Sequence, residues 1–172
     1  PALFSAFLRC QLYITGIIMK DILVLTQRAE DFSLITSVVS DSSTVRQAGD
    51  IDTAQQMHSR TPFDMIMADI ELLEQNLDPD GFSFSKHPFV KANSFVQFVV
   101  LCDKKHAGCA TKAVAEGAAG YILYPVQKRD IRLLLPSVHR TLSRDFELDY
   151  LRDRFWKTEW LEVIRSKNHR MK

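Results

Sequence analysis

The sequence predicts an α/β fold: one five-stranded parallel sheet with helices on both faces, continued by a long C-terminal helix. Three observations lead there. Short β-branched and aliphatic runs alternate with helical patterns about five times along the chain. Those runs are continuously apolar, as strands covered on both faces must be. A length of 172 residues with 46% hydrophobic content suits one core of ordinary size plus an appendage.

Each element has a local reason. Asp21–Leu25 (DILVL) is too short for a helix and reads as a buried strand. Asp31 is suited to cap a helix over Phe32–Ser40, where Phe32, Ile35 and Val38 or Val39 fall at helical spacing. Thr44–Gln47 is a weaker strand, and Asp52–Ser59 a short polar helix before Pro62. Phe63–Ala68 (FDMIMA) is a second strong strand, ending at Asp69, and Phe95–Cys102 (FVQFVVLC) a third. Ala110–Glu116 is an alanine-rich helix stopped by Gly117. Gly120–Leu123 is the last strand, stopped by Pro125, and a final helix begins near Asp130.

Composition removes several classes of function. With 22 basic and 21 acidic residues the net charge is +1, so the chain carries no basic coat for nucleic acid. The charge is uneven: residues 150–172 carry +4 and the rest −3. Three cysteines, Cys10, Cys102 and Cys109, with no CxxC pair, indicate neither a disulfide framework nor a zinc knuckle, and favour a reducing cytoplasm. His87, His106, His139 and His169 show no metal-ligand spacing. Residues 1–18 are apolar, but Arg9 and Gln11 interrupt them and no signal-peptide pattern is present. They read as an N-terminal extension: a mis-assigned start, an expression remnant or a packing helix. MKDILVL from Met19 has the look of a natural beginning.

No GxGxxG or GxxxxGK follows the first strand, which argues against a dinucleotide or P-loop site. In open parallel sheets the working crevice lies at the carboxyl ends of the strands. That rule singles out Thr26 and Gln27, Asp69, Cys102 and Asp103, and Tyr124.

The stretch 19–142 resembles the receiver domain of bacterial two-component response regulators, the CheY-like, flavodoxin-like doubly wound fold. PFDMIMADIEL resembles the family's third strand, which ends in the phospho-accepting aspartate, here Asp69. FVVLCDKKH resembles the fourth strand and its loop. AVAEGAAGYILYPVQKRDI resembles the segment that ends in Lys-Pro, with Gly117, Ala118, Tyr121 and Pro125 matching. The resemblance implies that Tyr121 is the switch aromatic and that the Tyr124–Pro125 bond is cis. DPDGF, with Gly81, fits the loop after the aspartate, although 72–94 is longer and more polar than usual.

Measured against that family the chemistry is depleted. Aspartyl phosphorylation needs magnesium, which demands hard oxygen ligands. The two acidic residues expected after the first strand are Thr26 and Gln27. The lysine expected before the proline is Tyr124, and the hydroxyl residue ending the fourth strand is Cys102, a poor donor. Each lost charge removes on the order of a few kcal/mol of transition-state stabilisation. The expectation is a pseudo-receiver that is not an enzyme and holds no cofactor, Mg2+ included. The alternatives are a receiver still phosphorylated at Asp69, with a weak cation site from Asp69, Glu71 and Asp103, and a stand-alone interaction module.

Ile131, Leu134, Leu135, Val138 and Leu142 make a helical stripe that Pro136 should kink or restart. Phe146, Tyr150, Leu151, Phe155, Trp156 and Trp160 extend it beyond what one domain needs, which favours a homodimer. WLEVIRSKNHRMK resembles the approach to the AAA+ ATPase domain of sigma-54-dependent activators, with Ile164, Ser166 and Met171 matching and Arg165 in place of a glycine. Residues 143–172 are thus expected to be a helical linker towards such a domain. The implied partners are that ATPase, the sigma-54 transcription machinery and a histidine kinase. No nucleic acid and no membrane is expected to bind this chain directly.

Overall fold

In the computed structural model, residues 19–39, 43–74, 82–93 and 95–142, with 144, 148 and 152, are described. Strands β1 (Asp21–Leu25), β2 (Thr44–Ala48), β3 (Met65–Asp69), β4 (Gln97–Cys102) and β5 (Gly120–Leu123) form one parallel sheet in the order β2-β1-β3-β4-β5. The register sets Leu23 beside Ile66 and Ile66 beside Phe98. Leu23, Leu25, Ile66, Ala68, Phe98, Val100 and Cys102 point into one core cluster. Their alternate neighbours Ile22, Val24, Met65, Met67, Val99 and Leu101 are equally buried on the opposite face. Burial on both faces is why these strands show no polar alternation. β2 lies at the sheet edge and keeps polar, partly exposed residues, hence its weak sequence signal.

The helices are α1 (Ala29–Val39), α2 (Ile51–Arg60), α3 (Ile70–Glu74), α4 (Pro88–Ala92), α5 (Ala107–Ala115) and α6 (128–142). Several boundaries differ from expectation. Asp31 does not cap α1; with Glu30 it lies in the first turn, where a negative charge favours the helix dipole. The cap of α2 is Asp50, whose carboxylate accepts from the Thr53 amide at 2.7 Å and the Thr53 hydroxyl at 2.8 Å. α3 and α4 went unrecognised because each is barely longer than one turn. In α4, Pro88 stands at the start and His87 Nδ1 accepts from the Phe89 amide at 3.2 Å. Pro136 does not break α6, which is helical on both sides of it. A proline removes one amide donor, and the remaining turns hold the helix.

Two local features fix strand ends. Asp64, nearly buried, accepts from the amides of Lys20 at 2.9 Å and Asp21 at 3.2 Å and so pins the start of β1. Gly117 ends α5 with φ of +116°, a backbone state that side chains resist. A Cβ there would meet nothing within 4 Å, so any penalty is backbone strain rather than a clash. Gly117→Ala is expected to lower stability by about 1–3 kcal/mol, read as a lower midpoint with unchanged slope in urea unfolding.

The chain divides into two compact units, Ile18–His139 and Pro1–Ile17 with Arg140–Lys172. In the second, only residues 140–142, 144, 148 and 152 are described, all helical. Residues 1–18, Gly81, the aromatic series Phe146 to Trp160 and the segment with Ile164, Arg165, Ser166 and Met171 lie outside the described residues. Among the described residues no helix is long and apolar enough to cross a membrane.

Candidate functional site

The sheet order reverses between β1 and β3, so the loops after these strands part and leave a crevice at their carboxyl ends. Thr26 follows β1 into this crevice and is fully buried. Its amide donates to the Ala48 carbonyl at 3.0 Å, and its hydroxyl oxygen accepts from the Arg28 amide at 3.1 Å. Gln27 is exposed, and its side chain donates to the Gly49 carbonyl at 3.2 Å. Neither residue brings a negative charge to the crevice.

Asp69 ends β3 and is 4% exposed. Both its oxygens are occupied. The Tyr124 hydroxyl donates to Oδ2 at 2.8 Å, and the Glu71 amide donates to Oδ1 at 3.0 Å. Tyr124 is itself buried and held from behind, its amide donating to the Cys102 carbonyl at 2.8 Å; the Tyr124–Pro125 bond is cis. Arg28 covers the pair. Its guanidinium carbon lies 4.0 Å from the centre of the Tyr124 ring, and its Nε 4.0 Å from Asp69 Oδ2. Burial raises the Asp69 carboxyl above its ordinary range, while the Tyr124 hydroxyl and Glu71 amide hold it partly down. Burial and the Asp69 charge push the Tyr124 hydroxyl up, so it stays protonated and remains the donor.

Around this closed pair runs a more open rim. Arg28 reaches Asp103 at 3.7 Å, and Lys105 Nζ lies 3.1 Å from Glu71 Oε1 and 3.9 Å from Asp103 Oδ2. His106 stands between Glu71 and Glu74, with one ring nitrogen 3.7 Å from each carboxylate. Cys102 is fully buried, and burial with the charges of Asp103 and Asp69 pushes its thiol up to about 11, so it is neutral and inert. Tyr121, on β5, is 39% exposed. Glu71, Asp103 and His106 are the described residues whose ligand atoms all fall within 4.8 Å of one another. Asp69 is not among them, so the trio Asp69, Glu71 and Asp103 does not assemble as one ligand set. His106 replaces Asp69 there.

No family model and no curated protein matches the sequence. Solved structures do. NtrX from Brucella abortus in complex with ADP is 22% identical with a TM-score of 0.67, covering 80% of this chain and 30% of its own. The receiver domain of that NtrX is 22% identical with a TM-score of 0.59, covering 70% of this chain and 99% of its own. The chemotaxis response regulator CheY4 of Vibrio cholerae is 20% identical with a TM-score of 0.55, covering 70% and 99%. This is the receiver fold. Thus the chain spans under a third of the length of the NtrX chain it matches.

Placed on the receiver fold, the residues singled out from sequence divide into two groups. Asp69, Tyr124 and Thr26 meet in the buried crevice, with Cys102 directly behind. Gln27 and Tyr121 do not join them. Arg28 was missed, and His106 was named only as lacking metal-ligand spacing. Arg28 had one legible signal, a cation two residues beyond Thr26 in the loop that opens on the crevice. His106 had none, because its partners Glu71 and Glu74 are more than thirty positions away in sequence.

Proposed function

We propose that this chain is the regulatory module of a transcriptional response regulator, built on the receiver fold and working without phosphorylation. The observation that carries this reading is the Tyr124–Asp69 hydrogen bond at 2.8 Å under the Arg28 guanidinium. A phosphoryl group arriving at Asp69 would have to displace a buried donor, with no acidic companion at Thr26 or Gln27 to hold magnesium beside it. Phosphoryl transfer is positioning and electrostatics, and both are set against it here. Arg28 already supplies the positive charge that a bound ion would otherwise bring to the carboxylate.

The module transmits rather than catalyses. Val114 on α5, Tyr121 on β5 and Leu133 on α6 are exposed hydrophobics on three successive elements and offer contacts for a partner. The likeness to NtrX, whose chain is over three times as long as the part matched, and the tail sequence support linkage to an AAA+ domain acting on sigma-54 transcription in the cytoplasm. Dimerisation through the C-terminal helix would then be the output. A histidine kinase would serve as a docking partner, not as a phosphoryl donor.

Incubating the full chain with acetyl phosphate, or with beryllofluoride, in millimolar magnesium tests the reading. Unchanged intact mass and an unchanged amide spectrum are expected. A modified mass that disappears in Asp69→Asn would overturn it.

A further inference from the structure

We propose that Glu71, Asp103 and His106 form a binding site for a divalent transition-metal ion of the zinc class, in which Lys105 is the resident cation that the metal displaces. This site is separate from the Asp69 carboxylate and does not depend on the regulatory reading above.

The three groups come from two rigid strand ends. Glu71 is the second residue of α3, just after β3, while Asp103 precedes and His106 ends the 3-10 turn Lys104–His106 that follows β4. Their ligand atoms lie within 4.8 Å of one another, so small side-chain rotations bring them to the about 2.0–2.2 Å bonds of one tetrahedral ion. The fourth position is open to water. An imidazole nitrogen beside two carboxylates selects zinc, nickel or copper over magnesium and calcium, which prefer oxygen alone.

Two further observations point to a ligand. His106 Nδ1 is buried and makes no hydrogen bond, yet it faces Glu71 Oε1 at 3.7 Å, a separation suited to two ligands of one ion. On the other edge of the ring, Nε2 faces Glu74 Oε2 at 3.7 Å. Glu74 thus stands where a modest closing movement would let its carboxylate accept the second ring proton, as the outer partner of a metal-bound imidazole does. Arg28 stands 3.7 Å from Asp103, and Lys105 holds the place between the two carboxylates by charge and a hydrogen bond to Glu71. Its ammonium sits 3.1 Å from Glu71 and 3.9 Å from Asp103, on a side chain that is 65% exposed and free to swing into water.

Zinc chloride is titrated into the full chain near neutral pH, with a chromophoric chelator as competitor. One equivalent is expected to bind and to resist millimolar magnesium. His106→Ala and Glu71→Gln should each weaken binding by at least about tenfold, the loss that even an outer partner causes. Lys105→Met should tighten it by about two- to fivefold, the worth of an exposed ion pair. That gain cannot come from misfolding. Cys109→Ser should leave affinity unchanged. No stoichiometric binding, affinity unaltered by His106→Ala, no gain in Lys105→Met, or loss in Cys109→Ser would each overturn the proposal.

Discussion

The triple variant Thr26→Asp, Gln27→Asp, Tyr124→Lys is expected to bind beryllofluoride at Asp69 in the presence of magnesium, whereas no binding is expected of the natural chain. The two aspartates return the oxygen ligands that an octahedral ion requires, and the lysine returns a charge for the phosphoryl oxygens. Thr26→Asp keeps an acceptor for the Arg28 amide, so the turn after β1 survives the exchange. Tyr124→Lys removes the donor that occupies Asp69 Oδ2 and the ring on which Arg28 rests. If each restored charge contributes on the order of a few kcal/mol, the combined gain in phosphorylation by acetyl phosphate exceeds about a hundredfold. Stability supplies a second readout. Without magnesium three carboxylates crowd one crevice and the variant melts below the natural chain; magnesium binds only the folded form and raises the melting temperature. Tyr124→Lys alone should remain silent. A magnesium-insensitive triple variant would show that these three positions do not govern magnesium binding at Asp69.

Breaking the Tyr124–Asp69 pair is expected to destabilise the fold. Tyr124→Phe keeps the ring under Arg28 but leaves a carboxylate oxygen buried without its donor, a loss of about 1.5–3 kcal/mol for a hydrogen bond to a charged group. The double variant with Asp69→Asn should recover part of this, because no buried charge remains to be left unpaired. The pH dependence has a definite sign. Burial raises the folded-state carboxyl of Asp69 above its unfolded value of 3.8, so the native state holds that proton more tightly. Its contribution to stability is fully present below pH 3.8 and is lost as pH rises through the raised folded value. Asp69→Asn should therefore stabilise the protein near neutrality, and its advantage should shrink as pH falls through that window. The Tyr124 hydroxyl opposes the raised value, so Tyr124→Phe moves the window further upward. Urea unfolding across the acidic range, for the two single variants and the double, measures all of this.

The strands were legible because burial on both faces writes itself into sequence as unbroken apolar runs. DILVL became β1 without a change of boundary, and the ends of β4 and β5 fell at Cys102 and Leu123 as expected. Helix starts were less legible. Asp31 and Asp50 are equally good cap residues by type, and only the backbone conformation of Asp50 decides that it caps. α3 and α4 are too short to establish a period, and their buried residues, Leu72, Leu73, Phe89 and Val90, are set in a polar stretch.

The site followed the same division. That Thr26, Gln27 and Tyr124 carry no charge is a property of residue type and was legible in the chain alone, as were the five strands in their chain order and the position of Asp69 at a strand end. What surrounds the carboxylate emerges from folding: a tyrosine hydroxyl on Asp69, Arg28 lying over both, and His106 between two glutamates. The difference is one of range. Apolar burial and chain periodicity act among neighbours in sequence. A 2.8 Å hydrogen bond between residues 55 positions apart depends on how β3 and β5 are placed in the sheet, which no local pattern records.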